Sequence, residues 1–362
     1  MPKRPQHLLI ASTEDYSGKS TVLLGLAKLL MSQDIALDYG KPLGSYHTDG
    51  DGDADVALVQ ETLGLATQQL HPTLVFLDQA TVLDRLQGAE GQDYREALAS
   101  TYGGESKADV MLLEGPGTLA EGMLFGLSTV QIAETLEAKV LLVDRYDPLL
   151  SVERVLAAKG LLGDRLAGVV MNGVPDDCRQ TAQETVKPFL EAGGAKVLGC
   201  IPRDSLLRSV SVAELVRQLQ ATVLCSEHHL DLMVQDLKIG AMNVNSALRF
   251  FSQGKNMAVV TGGDRTDIQL AALETSTNCL ILTGQVPPNA MVISRAQDLE
   301  VPILSVDMDT LKTVEIIDQT FGQVRLQDAA KIECIQQLME QHFDLKYLLS
   351  DLGLELATAD AR

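Results

Sequence analysis

The sequence contains no apolar run approaching the roughly 18 residues needed to cross a bilayer, and its start, Met1-Pro2-Lys3-Arg4, lacks the apolar stretch and small-residue site of a signal peptide. Neither a spanning segment nor a secretory leader is expected, and a cytoplasmic location is. The five cysteines, Cys178, Cys200, Cys225, Cys279 and Cys334, show no C-x-x-C spacing and signal neither a disulfide framework nor a zinc site. Positive charge is scarce. Lys and Arg number 29 against 49 Asp and Glu, a net charge of −20, and no local basic patch offsets it. That balance opposes binding to nucleic acid or to an anionic membrane surface, and neither is expected as a partner.

What is present is alternation. With 46% apolar residues in 362, the chain can bury a large core, and its length allows two or three domains. Short apolar runs at Leu8 to Ala11, Ile35 to Tyr39, Leu74 to Leu77, Val110 to Leu113, Val140 to Val143, Gly168 to Met171 and Val197 to Cys200 read as buried strands, each followed by a helical or turn pattern. Such alternation predicts an α/β fold, a parallel sheet with helices on both faces, whose ligands bind beyond the carboxyl ends of the strands.

The most informative segment runs from Leu8 through Ser12-Thr13-Glu14-Asp15-Tyr16-Ser17 into Gly18-Lys19-Ser20-Thr21. A strand, a polar loop and a helix opening on Gly-Lys-Ser form a phosphate cradle: backbone N–H groups face the anion, Lys19 reaches the β/γ-phosphates and the Ser20 hydroxyl ligates Mg²⁺. The expected ligands are ATP and Mg²⁺. Thr13 stands where the usual G-x-x-x-x-G-K-[ST] pattern has glycine, and an ordinary strand-to-helix turn is the alternative reading.

This region resembles dethiobiotin synthetase, whose phosphate loop reads G-T-D-T-x-V-G-K-T and has threonine where Thr13 stands. Lys41-Pro42-Leu43-Gly44-Ser45 is similar to that family's K-P-V-x-S, Ala54-Asp55-Val56-Ala57-Leu58 to its S-D-A-L-A-L, and Glu114-Gly115-Pro116-Gly117 to its E-G-A-G. Val169 to Gly173 and Leu198 to Asp204 resemble its late strands. The Ile201-Pro202-Arg203-Asp204 ending is closer to the dethiobiotin-synthetase-like N-terminal domain of long phosphotransacetylases. The resemblance implies nucleotide binding by Thr13, Gly18, Lys19, Ser20 and Thr21, and Mg²⁺ at Ser20, Asp55 and Glu114. It implies a charge-neutralising role for Lys41 if the protein is an enzyme.

Val259 to Leu273, with Gly262-Gly263-Asp264-Arg265-Thr266, followed by Leu280 to Gly284 and Val301 to Val306, resembles the DRTGG domain. Long phosphotransacetylases carry this pair of domains in this order before an acetyltransferase domain. No counterpart of that last domain precedes Arg362, so acetyl transfer is not expected. The domains read as 1–217, a phosphate-loop nucleotide domain, 218–325, a DRTGG domain, and 326–362, a C-terminal amphipathic helix and tail. The helix spaces Ile332, Ile335, Leu338, Met339 and Phe343 on one face, which needs cover. A homo-oligomer is the simplest cover, with folding back on the same chain as the alternative. The segment from Ala357 is expected to fray.

Several candidates keep a plainer alternative. Glu114 ends an apolar strand and points into the crevice, or is a turn carboxylate. Asp55 is a metal ligand or another loop acid, and Lys41, held by Pro42 in an extended turn, is otherwise a surface lysine. Asn172 meets an adenine edge or forms an Asn-Gly turn. The run Asp49-Gly50-Asp51-Gly52-Asp53-Ala54-Asp55 fails as an EF-hand, having Ala54 and Gln60 where glycine and glutamate belong, which leaves Asp49, Asp51 and Asp53 as a solvated loop or a site for a cationic group. His228-His229 reads as surface. Asp264 or Thr266 caps a helix, or Arg265 meets an effector or a neighbouring domain. Two functions follow. One is a nucleotide-responsive regulatory or scaffold protein with an unknown effector at the DRTGG domain. The other is an ATP-dependent ligase that forms a carbamate, activates it with phosphate and closes a ring.

Overall fold

The computed structural model describes residues 3–44, 47–48, 50–322 and 329–354. Ser45, Asp49 and the segment from Ala357, named above, lie outside them. Two compact units result, one of residues 1–203 with 326–362 and one of residues 204–325.

In the first unit, seven parallel strands form one sheet: β1 (Gln6–Ser12), β2 (Leu37–Gly40), β3 (Leu70–His71), β4 (Val110–Glu114), β5 (Lys139–Arg145), β6 (Leu166–Val174) and β7 (Val197–Pro202). Their spatial order is β7-β6-β5-β1-β4-β2-β3. The central strands are apolar throughout because both faces are covered. Leu9, Met111 and Val140 join Leu98, Ile132 and Val155 in one cluster, while Leu8 and Ile10, on the opposite side of the pleat, are also fully buried. Helix α1 (Lys19–Met31) follows β1 and buries eight of its residues. Helix α2 (Ala54–Leu63) opens on Asp53, whose side chain accepts from the Asp55 N–H.

One expected strand is displaced. Leu74 to Leu77 does not enter the main sheet, whose edge is Leu70–His71; instead Val75–Phe76 pairs with Leu43–Gly44 in a separate two-stranded sheet. The Leu74 and Leu77 N–H groups donate to the Pro42 and Gly44 carbonyls, so the run follows the chain past the β2 end, beyond the sheet proper.

The second unit has a five-stranded sheet, β8 (Thr222–Cys225), β9 (Asp236–Ile239), β10 (Met257–Gly262), β11 (Thr277–Thr283) and β12 (Ile303–Ser305), in the order β8-β12-β11-β10-β9 with only β8 antiparallel. Alternate residues again face two cores: Val259 and Leu280 join one cluster, Val260 and Ile281 the other. This unit begins at residue 204, so the segment up to 217 that the sequence reading assigns to the first domain packs here.

The C-terminal segment is two helices rather than one, α3 (Ala329–His342) and α4 (Leu345–Asp351), broken at Phe343 and restarted by Asp344, which accepts from the Tyr347 N–H. Helix α3 lies on α1 of the first unit. Ile335 and Met339 are fully buried, and a Cβ on Gly25 would come within 2.8 Å of both. Ile335, Met339 and Phe343 of that face are thus covered within the chain while Ile332 and Leu338 stay half-buried, and Gly25 is what lets the two helices approach. Burying two such side chains contributes about 3 to 6 kcal/mol. Among the described residues no helix is long and apolar enough to cross a membrane.

Candidate functional site

The loop from Ser12 to Gly18 turns back on itself through Tyr16 (φ 57°) and Gly18 (φ 85°). Gly18 is demanded twice over, since a Cβ there would also lie 2.2 Å from Asn172 Nδ2. No side chain caps α1, which leaves its first N–H groups for a ligand. The helix dipole adds to their pull on an anion.

Glu114 organises the floor. It is buried at the end of β4, accepts from Ser20 Oγ at 2.7 Å and from the Tyr39 hydroxyl at 2.8 Å, and lies 3.9 Å from Lys19 Nζ. Lys19 itself bonds the Gly115 carbonyl and, at 3.0 Å, the Pro116 carbonyl. Burial pushes the Lys19 ammonium below its ordinary pKa, with Glu114 opposing the shift. Burial and the adjacent Glu114 carboxylate push the Tyr39 hydroxyl well up, so it stays a donor. Thr21 follows in the first helical turn, half-buried.

Thr13 is not a vacant glycine position. Its hydroxyl donates to Asp144 Oδ1 at 2.7 Å, and Asp144, fully buried at the end of β5, also accepts from Ser151 Oγ and from Arg154 Nε at 2.8 Å. Arg154 reaches on to Glu14 of the loop at 2.9 Å. Asn172 braces the same loop: its Nδ2 donates to the Ser17 carbonyl at 2.9 Å, so the amide assigned to a base edge is placed against the phosphate cradle.

Lys41 is buried and pinned between carboxylates, 3.0 Å from Asp53 Oδ2 and in contact with Asp55. Burial alone would lower its pKa; Glu114, Asp55 and Asp53 outweigh burial and raise it above the ordinary lysine value. Asp53 is therefore no solvated loop acid but, as the other reading of that run had it, meets a cationic group. It is buried, caps α2 and neutralises Lys41, because a buried ammonium needs an adjacent counter-charge. Ser20, Glu114 and Lys19 come together as expected, while Asp55 stands at Lys41. The donor set, a hydroxyl and carboxylates, suits Mg²⁺, which takes one or two protein oxygens and completes its shell with water and phosphate. Among the described residues no group of three or more His, Cys, Asp or Glu is placed to hold a metal ion.

Tyr39, Asp144 and Arg154 were not singled out as site residues by the sequence. A signal existed for Asp144, which ends the apolar run Val140 to Val143 as Glu114 ends its own strand. In the second unit Arg265 takes the N-cap position of the helix Thr266–Leu273 without a side-chain cap, so neither Asp264 nor Thr266 caps it. The Arg265 guanidinium instead donates to the Met242 carbonyl at 2.8 Å and pairs with Asp267 at 3.1 Å. His228 is exposed, as expected, and His229 is half-buried, 3.8 Å from Glu300.

A family model described as an AAA domain matches residues 6–211, and one for the DRTGG domain matches residues 214–320. The chain is similar to a phosphate acetyltransferase of Nitratidesulfovibrio vulgaris, 26% identical over 97% of this chain and 51% of that protein. It is likewise similar to one of Synechocystis sp., 26% identical over 95% and 51%, and to one of Escherichia coli, 21% identical over 95% and 52%. The chain spans about half the length of these relatives. Among solved structures it resembles the CBS and DRTGG domains of the regulatory region of Clostridium perfringens pyrophosphatase complexed with diadenosine tetraphosphate, with TM-score 0.30 and 18% identity over 52% of this chain and 82% of that one. A likeness of that size carries no argument.

Proposed function

Because the chain belongs to the AAA domain family, whose model spans more than half of it, and carries a DRTGG domain behind that match, we propose that it is an ATP- and Mg²⁺-binding regulatory or scaffold protein of the phosphotransacetylase N-terminal type. The observation that carries this reading is the convergence of Ser20, Lys19 and Tyr39 on the buried Glu114, beneath an uncapped helix N-terminus. The triphosphate lies on the first N–H groups of α1. Lys19 exchanges two backbone carbonyls for β/γ-phosphate oxygens, a stronger charge-assisted bond. Ser20 and Glu114 would hold Mg²⁺, Asp55 being engaged by Lys41; the ion would neutralise phosphate charge.

The sensor reading is favoured over the ligase reading by Lys41. Its charge is already met by Asp53 and Asp55, which leaves little for a phosphorylated intermediate. The ligase reading keeps one support, the position of Lys41 among the charges around Glu114. It requires dethiobiotin formation from diaminopelargonate, bicarbonate and ATP, and the sensor reading requires its absence.

Regulation needs two states of differing affinity. We assign the signal to the DRTGG domain, with an effector of its own there, in a cytoplasmic homo-oligomer. Hydrogen exchange tests it: saturating Mg²⁺·ATP should change protection across residues 255–310, and unchanged protection would remove the regulatory role while leaving nucleotide binding intact.

A further inference from the structure

The turn that follows Glu114 is held in place by the phosphate loop. All three of its carbonyls accept from side chains at that loop: Gly115 and Pro116 from Lys19 Nζ, the second at 3.0 Å, and Gly117 from Ser12 Oγ at 2.7 Å. Two carboxylates close on Gly117 as well. Glu121 accepts from its N–H, and a Cβ at this position would collide with both Asp15 and Glu121. Gly115 and Pro116 are buried, so a carbonyl that loses its donor there is left unsatisfied unless the turn moves toward water.

A phosphate in the cradle asks for the same ammonium. Lys19 has three N–H donors, spends two of them on Gly115 and Pro116, and lies 3.9 Å from Glu114, so reaching β/γ-phosphate oxygens means giving up the carbonyls. The phosphate also brings negative charge toward Asp15 in the loop and toward Glu121, whose charge already reaches Lys19. Both effects push the turn off the loop. The chain just beyond supplies two hinge positions: the 3₁₀ turn Met123–Phe125 lies between Gly122 (φ 83°) and Gly126 (φ 73°), both in the left-handed region. Met123 and Leu124 are exposed between these hinges, while Phe125 is buried edge-on against Tyr94.

We infer, on the nucleotide-binding reading above, that residues 115–126 are the element that converts nucleotide occupancy into a change of surface. Phosphate takes Lys19 from the Gly115 and Pro116 carbonyls, the turn leaves the phosphate loop, and the Met123–Phe125 turn shifts with it about Gly122 and Gly126. The two states differ in which acceptor holds Lys19, which is the differential contact a ligand-driven shift requires. Lys19→Ala removes the same donor, so the empty variant should adopt the released turn that nucleotide produces in the parent.

The chain contains no tryptophan, so Leu124→Trp places a single indole on this turn. In that full-length variant saturating Mg²⁺·ATP should shift the emission, and in the unsubstituted chain it should speed amide exchange across residues 117–127 by about tenfold or more. Calorimetry on both samples reports binding. Lys19→Ala should show the shifted emission and the faster exchange before nucleotide is added, and Mg²⁺·ATP should then change neither. Calorimetric binding with unchanged emission and unchanged or slower exchange would overturn the inference and leave nucleotide binding standing, as would a Lys19→Ala chain indistinguishable from the empty parent. Absence of calorimetric binding by the unsubstituted chain would remove both.

Discussion

Thr13 Oγ1 donates to Asp144 Oδ1 across 2.7 Å, joining the first turn of the phosphate loop to the end of a strand 131 residues away. The bond explains why threonine occupies a glycine position. Asp144 is fully buried, and each donor it loses leaves carboxylate lone pairs without compensation. Thr13→Val should therefore cost about 1 to 3 kcal/mol in urea unfolding and weaken nucleotide binding, with Thr13→Ser recovering both. Thr13→Val as stable as the parent chain would mean that Ser151 and Arg154 alone satisfy Asp144.

Packing of α3 on α1 ties the C-terminal segment to the helix that carries the cradle. Met339→Ala empties a fully buried site facing Gly25 and should lower stability by about 2 to 5 kcal/mol. Because Met339 is covered within the chain, the loss should appear without any change in mass by light scattering. A change of assembly state on Met339→Ala would place the face at a subunit contact instead.

Much of this architecture is legible in the sequence because the signal is local. Apolar runs such as Val110 to Leu113 and Val140 to Val143 read as doubly buried strands, and the carboxylates that follow these two, Glu114 and Asp144, fall at the ligand edge. Gly18-Lys19-Ser20 works the same way, as loop, charge and hydroxyl are adjacent. What stayed hidden depends on long-range contact. Tyr39 and Arg154 are meaningful only through Glu114 and Asp144, each on a different strand. Asp53 sits in a run of alternating glycines and acids whose composition suggests solvent, and only the burial of Lys41 makes it a counter-ion. The helix face of Ile335 and Met339 announces a need for cover without naming the partner, which proved to be Gly25.

The Lys41 cluster gives a pH signature. Its folded pKa is raised, so the stability it contributes is complete below the unfolded lysine value and is lost as pH rises through the folded one. The parent chain should lose stability as pH rises above about 10.5, and Lys41→Met should lose less over that alkaline range. At neutral pH the same substitution should destabilise by about 3 kcal/mol, since it strands the buried Asp53. Parallel alkaline profiles for the two chains would show that Lys41 makes no such contribution.

The account rests on Lys19 and Glu114 marking a phosphate site, and calorimetric titration with Mg²⁺·ATP tests that most directly. The parent chain should bind, and Lys19→Ala should weaken binding at least tenfold, equivalent to about 1.4 kcal/mol. Equal affinity in the parent and the Lys19→Ala chain would contradict the assignment.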